Sequence, residues 1–200
     1  MKDIEIIKKD LYAFGQRYSG CEEILNSIKG NTLTELFTNI SEYIYLCKEN
    51  NRRAIKFNSI FDNDLVIEEG VLLCCCSNDK TITIPNSVTS IGCNAFEGCK
   101  KLTSIELPNS VTYIGYSAFY YCKELTSIII PNSVTSIEDH AFYGCSRLTS
   151  IEIPNSVTYI GDYAFRFCSG LTSIELPNSV TSIEDNVFYN CNPKLEIIRK

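Results

Sequence analysis

Apolar positions in the second half of the chain return every 23 residues. Ile91, Ile114, Ile137, Ile160 and Ile183 form one series, and Phe96, Phe119, Phe142, Phe165 and Phe188 form a second. Leu102, Leu125, Leu148 and Leu171 form a third. Pro85, Pro108, Pro131, Pro154 and Pro177 each open the pentapeptide Pro-Asn-Ser-Val-Thr, and Cys99, Cys122, Cys145, Cys168 and Cys191 recur with the same spacing. Self-similarity at a fixed period of this length is the signature of a solenoid. Within one unit, Leu102-x-x-Ile105-x-Leu107 ends in an alternation that predicts a short strand. Ile105 and Leu107 then point inward, and Ser104 and Glu106 outward. Pro108-Asn109 turns the chain, Val111-Thr112-x-Ile114 predicts a second extended segment, and a polar turn with Ala118-Phe119 closes the coil. One coil cannot bury its own apolar face. Stacked coils bury a continuous core and pair each strand in parallel with its neighbours.

The flanking segments follow other periods. Leu65-Val66-Ile67 and Val71-Leu72-Leu73 read as two strands around Glu68-Glu69-Gly70, and Ser77-Asn78-Asp79-Lys80 turns into Thr81-Ile82-Thr83-Ile84. Residues 63–84 are therefore expected to form a small antiparallel, hairpin-like cap. In residues 1–62, Ile4, Ile7, Leu11 and Phe14 share one helical face. Capping boxes at Ser19-x-x-Glu22 and Thr32-x-x-Glu35 open two further helices. The expected class is α+β: an N-terminal helical region over 1–62, the β cap over 63–84, and a solenoid of five 23-residue coils over 85–200. The last unit carries one extra residue near Asn192-Pro193 before Leu195-Glu196-Ile197-Ile198. An exposed edge there could self-associate.

The string Leu-x-x-Ile-x-Leu/Ile-Pro-x-x-Val-x-x-Ile-Gly-x-x-Ala-Phe-x-x-Cys, as it stands from Leu148 to Cys168, resembles the BspA-like, or treponemal-type, leucine-rich-repeat family. The resemblance covers 85–199. It implies a repeat solenoid, and it implies function only loosely, because the family includes surface adhesins. The departures are local. Gly92, Gly115 and Gly161 give way to Glu138 and Glu184, and the Ala position becomes Val187 in the last unit.

Charge narrows the partner. The formal net charge is −6. Residues 1–64 hold nine Lys/Arg against ten Asp/Glu, and residues 65–200 hold nine against fourteen. An acidic repeat half argues against a nucleic-acid partner, which needs a basic patch, and favours a neutral or basic one. No stretch approaches eighteen apolar residues, so no membrane partner is expected. The first ten residues alternate charged and apolar side chains, with no unbroken apolar segment of the secretory kind. The eleven cysteines are odd in number. Together these features lead us to expect a cytoplasmic chain with reduced thiols. The alternative is a secreted or surface protein whose leader has been removed.

Candidate chemistry is sparse. His140, the one histidine, lies beside Asp139 in a variable turn and reads as an exposed turn residue rather than a general base. The Thr-Ser pairs recur in every coil and read as scaffold. Cys74-Cys75-Cys76 invites a metal or redox site, but adjacent strand side chains point to opposite faces and the Cys-x-x-Cys spacing is missing. It reads as a cap strand of small apolar residues. The cysteine ladder reads as buried free thiols. Neither a phosphate loop nor a dinucleotide fingerprint is present. No enzyme activity, cofactor or metal is expected.

Positions that vary between copies are free of packing duty. They lie in the turn after the Ile series and around the Cys series, and they are rich in aromatic residues. Tyr116, Tyr120, Tyr121, Tyr143, Tyr163, Arg166, Phe167 and Tyr189 form the first candidate protein-binding surface. The regular acidic strand face, with Glu106, Glu152 and Glu175, is the second. The expected function is a non-enzymatic recognition surface for a protein partner, which it inhibits or modulates. One alternative is an effector whose N-terminal helices act while the repeats target it. The other is a secreted or surface adhesin.

Overall fold

The computed structural model describes residues 65–75, 77, 79–184 and 186–200, with Glu5, Lys8 and Glu35 at isolated positions. The helices expected over 1–62 and the side chain of Cys76 therefore lie outside the described residues. Every bounded element among the described residues is a strand.

The strands form two columns. The first opens with an antiparallel hairpin, β1 (Leu65–Glu68) and β2 (Val71–Cys75). It continues in parallel through β4 (Ser90–Ile91), β6 (Tyr113–Ile114), β8 (Ser136–Ile137), β9 (Tyr159–Ile160) and β11 (Ser182–Ile183). The second column contains β3 (Thr81–Thr83), β5 (Ser104–Glu106) and β7 (Ser127–Ile129), all parallel. A Glu152–Glu175 bridge and the parallel pair β10 (Ser173–Leu176) and β12 (Glu196–Arg199) extend it. In register, Ile91 pairs with Ile114, and Ile105 pairs with Ile128. Each core position thus lies against its own copy one coil away.

The α+β class is corrected to a β solenoid. The return leg of each coil, where a helix could have formed, is a chain of turns. In the first unit Ala95 N–H donates to Gly92 O at 3.3 Å, Glu97 to Asn94 O at 3.0 Å and Cys99 to Phe96 O at 3.0 Å. Left-handed residues at Asn94 (φ 58°) and Gly98 (φ 65°) interrupt this leg and prevent helix propagation. The alternative in which N-terminal helices carry the activity is withdrawn with that class.

Thr81–Thr83, expected to run antiparallel in the cap, instead runs parallel against β5. Residues 71–84 are thus a shortened coil that supplies a strand to each column. Its offset to the next coil is 23 residues at Thr81–Ser104 but only 19 at Leu72–Ile91. The missing residues come from the aromatic turn. Phe96, Phe119 and Phe142 N–H each donate to the Ala carbonyl of the next coil, at 2.7–2.8 Å, and Cys75 N–H donates to Ala95 O in the same way at 2.7 Å. Cys75 therefore takes the phenylalanine position at the head of the stack.

The core follows the same registry. Phe96, Phe119, Phe142 and Phe165 are fully buried. Successive rings stack nearly parallel, with centroids 4.9, 5.2 and 5.4 Å apart, and Phe188 continues the stack at 5.8 Å. The cysteine ladder lies alongside. The thiols of Cys122, Cys145, Cys168 and Cys191 donate to the carbonyls of Phe96, Phe119, Phe142 and Phe165 at 2.9–3.2 Å. Burial pushes the Cys145 and Cys168 thiols well above the ordinary range. The protonated thiol is the hydrogen-bond donor here, and a disulfide would remove it. Cys74 and Cys75 are also buried.

The Gly-to-Glu departures leave a geometric trace. Gly92, Gly115 and Gly161 N–H donate across the coil boundary at 2.9, 2.9 and 2.8 Å, whereas Glu138 and Glu184 do so at 3.4 and 3.3 Å. A Cβ added at Gly115 would lie 2.9 Å from Ile91 O. Side chains at this position are accommodated by a stretched backbone bond.

Phe119→Ala or Phe142→Ala should destabilise the stack by roughly 3–5 kcal/mol, because a fully buried ring leaves a cavity between two others. Chemical denaturation measures this, and a midpoint equal to wild type would show that the rings are not core. Thermal melts should be the same with and without reductant. A thiol-reactive dye should label exposed Cys93 rapidly and Cys145 no faster than the protein unfolds. Rapid native-state labelling of Cys145 would contradict the ladder.

Candidate functional site

The aromatic turn presents four variable columns. In chain order, their members in the first coil are Cys93, Asn94, Glu97 and Gly98. Two of these columns adopt left-handed backbone. Asn94, Ser117, His140 and Tyr163 do so at φ 53–59°, and Gly98, Tyr121, Gly144, Phe167 and Asn190 at φ 53–72°. Inter-coil hydrogen bonds hold the conformation: Gly98, Tyr121, Gly144 and Phe167 N–H donate to Tyr120, Tyr143, Arg166 and Tyr189 O at 2.7–3.1 Å. Glycine occupies such a backbone freely, whereas a bulky side chain there costs about 1–2 kcal/mol. Tyr121 and Phe167 nevertheless occupy it.

These side chains build one continuous ridge. Tyr120 stacks on Tyr143 at 4.7 Å, and Tyr121 meets both rings edge-on at 4.7 and 5.5 Å. Phe167 meets Tyr143 edge-on from the other side at 5.4 Å. The Arg166 guanidinium continues the Tyr120–Tyr143 column. It lies 5.7 Å from the Tyr143 ring and 4.8–4.9 Å from Tyr163, Phe167 and Tyr189. Cation–π attraction of this kind fixes a long side chain on the surface. The Tyr121 ring rests on Gly144 of the next coil, where an added Cβ would come within 2.6 Å of it. Tyr116 and Tyr189 are the most exposed members, at 46% and 52%. Burial, and then the neighbouring Tyr121 and Tyr143, push the Tyr120 phenol up to about 12, so the Tyr120 hydroxyl stays protonated.

His140, expected as an exposed turn residue, packs within this ridge. Its ring lies 5.3 Å from Tyr116, 5.6 Å from Tyr143 and 5.1 Å from Tyr163. Its place in the same variable column as Ser117 and Tyr163 was the available signal. Asp139 Oδ1 accepts from Asp162 N–H at 2.8 Å and from the Tyr159 hydroxyl at 3.4 Å. Among the described residues, five buried side-chain polar atoms have no hydrogen-bond partner, and three of them, His140 Nδ1, Asp162 Oδ1 and Arg166 Nε, lie in this ridge.

The second candidate surface lies on the other strand column. Glu106, Glu152 and Glu175 are all exposed. Ile129, 60% exposed, pairs in register beside Glu106 and interrupts the acidic row. Glu152 and Glu175 are bridged neighbours, and Glu175 pairs with Lys200. Glu106 lines a shallow hollow of about 360 Å³ with Ile82, Ile84 and Pro108. At the far end, Ile197 and Ile198 of β12 are exposed. Among the described residues, no group of three or more His, Cys, Asp or Glu is placed to hold a metal ion.

The model of the BspA type leucine rich repeat region (6 copies) matches residues 67–194. This chain belongs to that family. The match begins ahead of the first full unit, consistent with the shortened coil. Among solved structures, a leucine rich cell surface protein of Faecalibacterium prausnitzii is 35% identical with a TM-score of 0.62. It aligns over 65% of this chain and 35% of its own. The Treponema pallidum leucine rich repeat protein is 29% identical with a TM-score of 0.54, over 64% of this chain and 73% of its own. The pneumococcal vaccine antigen PcpA, 24% identical with a TM-score of 0.60, shares the fold over 66% of this chain and 34% of its own. This chain thus spans about a third of the length of the Faecalibacterium protein. No curated protein sequence matches it. The expectation of a cytoplasmic chain is overturned, since the 35% identical relative is a cell-surface protein. Leucine-rich-repeat solenoids are scaffolds for protein–protein contact.

Burial in the ridge, and then Arg166, hold His140 below its ordinary range, against the opposing pull of Asp139 and Asp162. The unfolded histidine titrates near 6.5, so as pH falls through that value the unfolded chain takes up the proton first and stability drops. His140→Asn keeps a residue that tolerates left-handed backbone, as Asn94 does. From pH 7.5 to 5 the wild-type melting temperature should fall further than that of the variant. Equal falls would show that His140 is not desolvated.

Proposed function

We propose that this chain is a non-enzymatic recognition module of the secreted or cell-surface kind, and that the aromatic ridge grips its protein partner. The observation that carries this reading is the placement of Tyr121 and Phe167 at left-handed positions where other coils use Gly98 and Gly144. The fold itself is better served by glycine there, so the rings are explained by what they contact outside the coil. Residues 85–200 are then the binding domain, 63–84 close one end of it, and 1–62 are a separate region. The strand face with Glu106, Glu152 and Glu175 is the competing surface, and its acidity would favour a basic partner. The name of the Faecalibacterium relative supports placement at a cell surface, and inhibition or modulation of the partner fits either face.

A photo-crosslinking residue introduced at Tyr143 or at Glu152 separates the two faces. The Tyr143 probe should capture a specific protein, and Tyr120→Ala should weaken that complex by about thirtyfold, the cost of a 2 kcal/mol hot spot. Capture by the Glu152 probe alone would move the site to the strands.

A further inference from the structure

The two ends of the stack are finished differently. At the head, β1 lies antiparallel on β2, and Val66, Leu72, Cys74 and Cys75 are buried. At the tail, β12 is exposed along its whole length, with Ile197 at 49% and Ile198 at 42%. Beside it opens a hollow of about 480 Å³ lined by Leu176, Ile183, Val187, Phe188 and Ile197. The last ring of the phenylalanine stack thus reaches this hollow. Among the described residues, β10 is the strand that pairs with β12, and its other edge is open.

The open edge has a defined backbone pattern. Glu196 and Lys200 N–H donate back to Thr172 and Leu176 O at 3.0 and 3.1 Å. In a parallel ladder alternate residues bond to the same neighbour, so the N–H and C=O of Ile197 and Arg199 point away from β10. An edge of this kind accepts another strand, and the side-chain order selects which one. Ile197 lies in register with buried Ile174, and Ile198 with exposed Glu175. The outward face of β12 therefore reads Glu196, Ile198, Lys200. Turned about a two-fold axis through Ile198, this face is its own complement. Glu196 meets Lys200 of the second copy, Ile198 meets Ile198 of the second copy, and Lys200 meets Glu196 of the second copy. The same register sets Ile197 opposite Arg199 of the second copy, and these are the residues whose backbone groups are free. A register centred on Ile197 would also join free backbone groups, but it sets Glu196 against Ile198 and unites no opposite charges.

We propose that two copies of this chain join tail to tail, with β12 antiparallel to β12 of the second copy about a two-fold axis at Ile198. The end faces then close on one another and cover the hollows beside Phe188. The pairing is independent of which face grips the protein partner, and it makes the recognition module bivalent.

Sedimentation equilibrium of the full chain, from micromolar to millimolar concentration, tests this. The average mass should rise to twice that of the monomer and stop there. Ile198→Lys sets like charges against each other on the axis and should weaken the dimer by about tenfold or more. Glu196→Lys and Lys200→Glu should each weaken it about fivefold. The variant carrying both charge changes should recover the wild-type constant within about twofold, because both pairs return with their signs reversed. Lys101→Glu, on the first coil, should leave the constant within about twofold. All four positions are exposed, so the variants should fold, and a thermal melt confirms it. A mass that stays monomeric at millimolar concentration, or one that grows past the dimer, would overturn the proposal. So would a dimer indifferent to Ile198→Lys, or single charge variants that the double variant does not rescue.

Discussion

The parallel hydrogen-bond ladder between coils, with its spacing of about 4.8 Å, is the constraint on which everything else depends. It forces each residue to lie directly against its counterpart 23 positions away. A position in the core can therefore hold only a side chain that packs on itself. Phenylalanine meets this requirement by stacking its rings at 4.9–5.4 Å, slightly wider than the backbone spacing. Threonine meets it by donating its hydroxyl to the threonine carbonyl one coil back, as Thr126 does to Thr103. Cysteine meets it by lending its thiol proton to a carbonyl of the preceding coil. Where the rule is broken, as at Glu138, the ladder itself stretches.

The same rule governs the surface. A variable column is a row of neighbours in contact, so its members are coupled even where their identities differ. Arg166 is held among aromatic rings because the coils on both sides provide them. His140 is partly shielded from water because its row and the adjacent row contain tyrosines.

The periodic part of the fold was legible in the sequence because identical spacing reports identical packing. The strand at Ile105, the second extended segment at Ile114 and the buried phenylalanines all follow from the spacing alone. The non-periodic parts were not legible in that way. Thr81–Thr83 looked like one more strand of an antiparallel cap, and only its partner in β5 shows that it belongs to a coil. The α component was inferred from residues outside the repeat and does not describe the solenoid. The ridge residues could be selected as variable and aromatic, but not their left-handed backbone, which arises from hydrogen bonds between coils. His140 lies in its turn as expected but is half-buried rather than exposed, because Tyr116 and Tyr163, each more than 20 residues away in sequence, pack on it together with Tyr143.

The alternation of ring and small residue has a consequence for how such a gene can change. Removing or inserting a single unit between Tyr121 and Phe167 would shift the two rings out of phase, leaving them adjacent or three coils apart. Removing or inserting a pair elsewhere in the stack would leave their separation untouched. The unit that preserves the alternation is therefore two coils long, twice the structural one.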